Sequence, residues 1–342
     1  MRLILGADLH GHERTDEDFK LSVRLYRTAL ELAVKHSCAA VVWLGDLLHY
    51  KYDKNTRTLI HWNRISQEFK HIQTILIQGN HDLPFVSREE TPLELIYNAT
   101  LIKQPLFVPL GYANLGYLPW LPEKEYKAAA EQLSLQALDA QPVPSFLFSH
   151  VSLQEGYVSG SGRQEKSPVR AEDLHPSAWA HIYLGDYHGH QQVGENITYL
   201  GSPRATSFSD WNCAGLFLFE ISDRSWSTKC LGLPGKWPQF IKLRIPFGAE
   251  PRIPNYNSYN HYQIEAPLYM HSELLRQYKN IRLKKAEDEL TVPISQRMIK
   301  LHNQRPLDIY RRWASKQGLN PFIYEPIAME YITSATSQIT DE

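Results

Sequence analysis

Cysteine is scarce in this chain. Cys38, Cys213 and Cys230 are too few and too scattered for a disulfide framework or a cysteine zinc site, which fits a reducing cytoplasm. Long apolar runs are missing as well. Nothing approaches the ~20 residues that a membrane span requires, so no membrane partner is expected. The chain enters an apolar strand at once (Met1-Arg2-Leu3-Ile4-Leu5), which leaves no place for a signal peptide. Excess charge of one sign is absent too: 36 basic against 37 acidic residues give a formal net charge of −1. The whole molecule therefore has no nucleic-acid signature, and any such contact must come from local patches. The 342 residues, 43% hydrophobic and 21% charged, have room for one large soluble domain and a smaller one.

What the chain does have is a series of short polar groups, each behind an apolar run. Asp8-Leu9-His10 follows Leu3-Ile4-Leu5, and Gly45-Asp46-Leu47-Leu48-His49 follows Val41-Val42-Trp43-Leu44. Gly79-Asn80-His81-Asp82 follows Ile75-Leu76-Ile77, Ser149-His150 follows Phe146-Leu147-Phe148, and Gly185-Asp186-Tyr187-His188 follows Ile182-Tyr183-Leu184. The apolar runs read as buried strands, and open α/β sheets carry their sites at strand carboxyl ends. One Asp-x-His is common by chance; five such groups in order are not.

The residue types match a binuclear metal site. Two divalent cations ~3.5–4 Å apart need a bridging carboxylate with oxygen and imidazole ligands around it. Asp46 is the natural bridge, with Asp8, His10 and His188 for one cation and Asn80, His150 and Asp186 for the other. Water activated between two such metals supplies hydroxide for attack on phosphorus. His81 is placed to protonate a leaving alkoxide or to hydrogen-bond phosphate, with Asp82 fixing its tautomer from behind. His49 either touches substrate or orients the Asp46 loop. His12, His36, His61, His71, His175 and His181 read as ordinary surface or packed histidines.

Around these groups the first part of the chain alternates strand and helix. Helical spacing covers residues 16–35, with Asp16 as a cap, then 56–69, 92–97 and 123–138. From residue 197 short strands take over, including 216–220. Residues 154–170 form a glycine- and serine-rich loop near His150, either a connector or a substrate lid. A Gly/Pro turn region at 231–237 marks a boundary, so the expected domains are 1–232, 233–290 and 291–342. The second holds strands at 240–245, 261–265 and 281–285 and a helix at 272–278. The third holds a helix at 307–317. Between Arg276 and Lys316 eleven basic residues face four acidic ones, so this segment suits phosphate backbone, an acidic partner surface or plain solvent. Tyr256, Tyr259 and Tyr262 are the aromatics most suited to stacking on bases.

The order of motifs resembles the calcineurin-like metallophosphoesterases, and within them the SbcD-type DNA repair and recombination nucleases. The narrower likeness rests on Leu184-Gly185-Asp186-Tyr187-His188-Gly189-His190-Gln191, on the Tyr199-Leu200-Gly201-Ser202-Pro203 turn, on Gly45-Asp46-Leu47-Leu48-His49 and on Leu118-Pro119-Trp120. It covers roughly residues 1–220, and the short C-terminal part looks closer to phage-encoded recombination subunits than to full-length cellular enzymes. The resemblance implies an α/β fold: a sandwich of two sheets flanked by helices, a small α+β capping domain and a short helical tail. It also implies an exo- and endodeoxyribonuclease with two divalent metals, Mn²⁺ first and Mg²⁺ second. The partners it implies are DNA, an SbcC-like SMC/ABC-type ATPase gripped by residues 291–342, and a second copy of the chain. Arg204, beside the Gly-Ser-Pro turn, and Lys284 and Lys285, in the basic segment, are the candidate substrate contacts.

One position departs from that family. Asp186 stands where His is usual, and a third carboxylate favours a hard ion such as Mn²⁺ or Mg²⁺ over Zn²⁺. A shifted register, with His188 and His190 as the ligand pair, displaces Gln191 from its place in the motif. Two other functions keep the fold: a phosphodiesterase or phosphatase acting on small molecules or proteins, and a non-catalytic subunit.

Overall fold

The computed structural model describes residues 1–49, 55–83, 90–158, 164, 166–246, 249–267 and 270–285. The chain divides into two units, Met1–Pro238 and Gln239–Glu342. The first begins β1 (Arg2–Gly6), α1 (Asp16–Lys35), β2 (Ala40–Leu44), α2 (Thr56–Glu68), β3 (Gln73–Ile77). It continues β4 (Ala99–Ile102), β5 (Leu106–Pro109), β6 (Asn114–Leu118), α3 (Glu123–Asp139), β7 (Ser145–His150). It closes with β8 (His181–Gly185), β9 (Gln191–Val193), β10 (Ile197–Tyr199), β11 (Leu216–Ile221) and β12 (Trp226–Gly232).

Two six-stranded sheets result, ordered β12-β11-β1-β2-β3-β4 and β5-β6-β7-β8-β10-β9. Strand periodicity explains how they stack. In β1, Leu3 and Leu5 join Val42, Leu44, Phe146, Phe148 and Tyr183 in the core between the sheets. Ile4 points the other way, into a layer with Leu25, Tyr26 and Ala29 of α1 and Leu59, Trp62 and Ile65 of α2. On the second sheet Leu147, Ile182 and Leu184 meet Tyr126, Ala130 and Leu133 of α3. The expected two-sheet α/β sandwich flanked by helices is what the chain forms.

The α1 cap differs by one residue from the sequence expectation. Thr15, not Asp16, caps the helix, its Oγ1 accepting from the Asp18 N–H at 3.1 Å. Asp16, Glu17 and Asp18 then lie in the first turn, where they favour the helix dipole. Residues 92–97 yield only a 3-10 turn, Pro92–Leu95, and no helix among the described residues is long and apolar enough to cross a membrane.

The second unit holds β13 (Phe240–Arg244), β14 (His261–Ala266), α4 (His271–Gln277) and β15 (Ile281–Lys285), with its three strands parallel in that order. Ile264, Ala266 and Leu274 lie in its core. Tyr262, 2% exposed, belongs to that core, and Tyr256 packs between Tyr262 and Tyr278. These two tyrosines are structural, which corrects the stacking role read from sequence. The expected helix at 307–317, and the whole segment 291–342, lie outside the described residues.

Candidate metal centre

Strands β1, β2 and β3 run parallel, so their carboxyl ends share one edge of the first sheet; β7 and β8 do the same in the second. The five polar groups occupy those ends. Backbone hydrogen bonds tie the first two loops together: the Asp8 N–H donates to Gly45 O at 3.1 Å and the His10 N–H to Asp46 O at 3.0 Å. Asp8, His10 and Asp46 have φ of 51°, 48° and 52°, and Asp186 has 108°. A left-handed residue costs ~1–2 kcal/mol when it is not glycine, and such strain concentrates at functional sites. Gly79 and Gly185 are required by packing. A Cβ on Gly79 would collide with Asp46, and one on Gly185 with the Leu44 carbonyl.

The side chains converge. Ligand atoms of Asp8, His10 and His188 lie within 4.8 Å of one another, as do those of Asp8, Asp46 and His150 and those of His10, Asp46 and His81. His150 Nε2 is 3.4 Å from Asp46 Oδ1 and 3.6 Å from Asp186 Oδ1. The Asn80 amide stands 3.1 Å from His150 Nε2 and 3.2 Å from both Asp46 oxygens. With its oxygen turned inward, that amide faces His150 Nε2 and adds an oxygen donor beside the Asp46 carboxylate; with nitrogen inward, it donates to Asp46. On the other side His10 Nε2 is 3.8 Å from Asp46 Oδ2 and 2.9 Å from His188 Nε2.

The imidazoles are set for ligation. His150 Nδ1 donates to the Leu44 carbonyl at 2.7 Å, and His188 Nδ1 pairs with Asp210 Oδ1 at 3.0 Å. Each partner holds the proton on Nδ1 and leaves Nε2 facing the cluster, the usual bracing of a metal-binding histidine.

The charge state shows the same bias. Burial, against nearby His150 and His188, pushes the Asp8 carboxyl up to about 7. Burial also opposes ionisation of Asp46, but His150, His10 and His81 prevail and hold it well below the carboxylate range. For His150, burial is overcome by Asp46, Asp186 and Asp8, which raise it well above an ordinary imidazole. Burial works against the charge on His188 as well, yet its Asp210 hydrogen bond and Asp8 lift it to about 9. Protons on these histidines hold carboxylates together where cations would do the same.

The other sequence-selected residues divide. His81 stands at the rim, its ring 5.1 Å from that of His10, its backbone N–H donating to Asp46 Oδ1 at 2.9 Å. His81 Nδ1 bonds the His49 carbonyl at 2.9 Å, so that carbonyl sets the tautomer. Asp82 does not: its carboxylate accepts from the Leu48 N–H at 3.0 Å and the Gly79 N–H at 2.9 Å. Asp82 therefore ties two ligand loops together, which corrects its reading as the partner of His81. His49 lies between, 5.4 Å from His10 and 6.1 Å from His81, ring to ring. His190 turns away, with Nδ1 on the Tyr199 carbonyl and its ring against Phe217. Of the two registers, the structure brings Asp186 and His188 to the cluster. Arg204 is buried, with Nη1 on the Ala205 carbonyl at 3.1 Å. Lys284 is exposed on β15 in the second unit, and the Lys285 side chain lies outside the described residues.

Sequence reasoning missed four contributors. Asp210 orients His188 and is itself fixed by Thr206 and Ser207, whose backbone N–H groups donate to Oδ2 at 2.6 and 3.0 Å. The run Thr206-Ser207-Phe208-Ser209-Asp210 carries that turn signature. Ser152 donates to Asp186 Oδ2 at 2.6 Å. Ser202 donates to the Asp8 carbonyl at 2.9 Å while its N–H bonds the His188 carbonyl, so the Gly-Ser-Pro turn joins two ligand strands. His12, read as ordinary, sits 5.0 Å behind His49.

No protein-family model matches the chain, and no curated protein does. Among solved structures it is similar to a dimetal phosphatase from Danio rerio, at 13% identity over 68% of this chain and 96% of that one, with a TM-score of 0.45. It is also similar to the nuclease MPE of Pseudomonas putida, at 18% identity over 47% and 66% of the two chains, with a TM-score of 0.29. Likeness at this level leaves the chemistry to the side chains.

Proposed function

We propose that this protein is a metal-dependent phosphodiesterase acting on DNA, the nuclease subunit of an SbcC/SbcD-like recombination-repair complex. One observation carries the hydrolytic part: His150 and His188 both have Nδ1 committed to a fixed acceptor and Nε2 aimed at the carboxylates of Asp8 and Asp46. That donor set suits two divalent cations. Asp46 would bridge, Asp8, His10 and His188 would hold one, and Asn80, His150 and Asp186 the other. Oxygen-rich ligation favours Mn²⁺, with Mg²⁺ second. Such ions, when bound, activate water and neutralise charge on the phosphoryl group.

The chain's own residues do the rest. His81, braced at Nδ1 by the His49 carbonyl, presents Nε2 to hold a phosphate oxygen and to return a proton to the leaving 3′-oxygen. Asp82 fixes the spacing of the loops that carry Asp46 and Asn80. Asp210 holds His188 in its ligating tautomer. The wider assignment, with DNA as substrate, a homodimer, a cytoplasmic setting and an SMC/ABC-type ATPase bound through residues 291–342, rests on the motif resemblance and on the basic composition of the C-terminal part.

The test is a Mn²⁺-supported assay on single-stranded and duplex DNA beside small phosphodiesters, using wild type and His81→Ala. DNA cleavage that falls about 10²–10⁴-fold in the variant is the expected result. Turnover confined to small diesters would replace the substrate. Two bound metals with no turnover at all would point to a subunit silent without its ATPase.

A further inference from the structure

Asp186 is the position at which this chain departs from the family pattern, and its carboxylate has two unlike oxygens. Oδ1 faces the cluster, 3.6 Å from His150 Nε2. Oδ2 accepts from the Ser152 hydroxyl at 2.6 Å, within the ~2.5–2.7 Å of a charge-assisted O–H···O⁻ bond. The Asp186 backbone is fixed as well, its N–H donating to both Asp8 oxygens at 3.0 and 3.1 Å. Ser152 is in turn held through its own backbone and that of both neighbours. The Tyr199 hydroxyl donates to the Val151 carbonyl at 2.8 Å and accepts from the Leu153 N–H at 2.9 Å. The Tyr187 hydroxyl donates to the Leu153 carbonyl at 2.8 Å, and Ser167 Oγ donates to the Ser152 carbonyl at 2.8 Å. Both tyrosines are buried, their ring centroids 4.8 Å apart. A short segment beyond the end of β7 is thus fixed by side chains, and the residue at its centre aims a hydroxyl at one carboxylate oxygen.

We infer that Ser152 is a positioning residue that selects the cation: by holding Oδ2 it restricts Asp186 to one ligating oxygen and disfavours Ca²⁺. The inference rests on the two-cation reading of the site and deepens it. A carboxylate with both oxygens on one ion takes two adjacent coordination positions. That suits Ca²⁺, with its about 6–8 oxygen ligands in flexible geometry. A carboxylate restricted to one oxygen takes a single position, as an imidazole does, and suits octahedral ions such as Mn²⁺ and Mg²⁺. Charge does not make this distinction, since Ca²⁺ and Mn²⁺ carry the same charge to the same three carboxylates. The number of oxygens offered does. Chelation through Oδ2 requires breaking the Ser152 bond, and the tyrosine frame keeps the hydroxyl from following the carboxylate.

The experiment is calorimetric titration of the metal-free full chain with Mn²⁺ and, separately, with Ca²⁺. It compares the wild type with Ser152→Ala, Ser152→Gly, Ser152→Thr and Asp186→His, and with Asp186→His carrying Ser152→Ala as well. Melting in EDTA checks that each variant folds. Ser152→Ala should raise the ratio of Ca²⁺ to Mn²⁺ affinity by about tenfold, the lower end of what removing a residue that orients a ligand does to metal binding. Ser152→Gly, which also lacks the hydroxyl, should follow it. Ser152→Thr keeps the hydroxyl and should keep the wild-type ratio. With histidine at 186 there is no second oxygen to release, so adding Ser152→Ala should leave the ratio where Asp186→His puts it; a general loosening of the loop would shift it in both backgrounds. A ratio within about twofold of wild type in Ser152→Ala and Ser152→Gly, or an equal shift with histidine at 186, would overturn the inference. Mn²⁺-supported hydrolysis of a small diester is read separately. Turnover with no shift in the ratio sinks the role of Ser152 and spares the phosphodiesterase; a shifted ratio with no turnover of any diester does the reverse.

Discussion

The two halves of the candidate metal centre are braced differently. His150 is fully buried and leans on a neutral backbone carbonyl, that of Leu44. His188 keeps 27% of its side chain exposed and leans on a carboxylate, Asp210. A carbonyl fixes orientation and adds little basicity. A carboxylate does both and makes its imidazole the stronger donor. The first half has its geometry fixed by the fold: β7 ends at His150 and the brace is the end of β2. The second depends on a side chain held by a loop, Thr206 to Asp210. Under the proposed two-cation reading, the Asn80/His150 side would be the rigid seat and the His10/His188 side the more tunable one.

The largest effect should come from the residue common to both halves. Asp46→Ala removes the shared carboxylate and should lower Mn²⁺-dependent diester hydrolysis by at least about 10³-fold, some 4 kcal/mol at 1.36 kcal/mol per decade. Steady-state kinetics check it, and a loss under tenfold would dissolve the idea of a shared bridge. Asp210→Asn should break only one half, weakening one Mn²⁺ site by about 10–100-fold and leaving the other. Titration calorimetry should then change from two tight sites to one; equal weakening of both would erase the contrast between the halves.

A smaller effect is the pH dependence of metal stabilisation. In the folded, metal-free chain, Asp8 is pushed up to about 7 and His188 to about 9. Both pKa values are raised on folding, so the stability they contribute is complete below the unfolded values, ~3.9 and ~6.5. It is lost as pH rises through the folded values. Asp46 and Asp210 are held low and act in the opposite sense, losing their contribution toward acid. A cation replaces the protons on Asp8 and His188, so the gain in Tm on adding Mn²⁺ should widen from pH ~6.5 to ~9. A constant gain would count against these residues as ligands. Smallest is the effect of Asp186→His, which trades a carboxylate for an imidazole and should shift preference toward Zn²⁺, read as the ratio of Zn²⁺ to Mn²⁺ affinities.

The site was legible where strand pattern and ligand type coincide. Strands 3–5, 41–44, 75–77, 146–148 and 182–184 are apolar runs, so the ends carrying Asp8, Asp46, Asn80, His150 and Asp186 could be placed by counting. Helices 16–35 and 123–138 were legible for the same reason, through a sustained 3.6-residue period. Strands of three or four residues, such as β9 and β5, are too short to show a period. Asp210 escaped because its role depends on a tertiary contact with a residue 22 positions earlier. Adjacency in sequence pairs Asp82 with His81, while in the fold its carboxylate points back to Gly79 and across to Leu48. The positive φ at Asp8 and Asp46 left no mark, since Asp is common in ordinary turns as well.

Metal stoichiometry is the most direct test of a two-cation centre bridged by Asp46. Equilibrium dialysis against Mn²⁺ followed by elemental analysis should return two ions per chain for the wild type and none tightly held for Asp46→Ala. A single ion in the wild type, or two that survive Asp46→Ala, would contradict it.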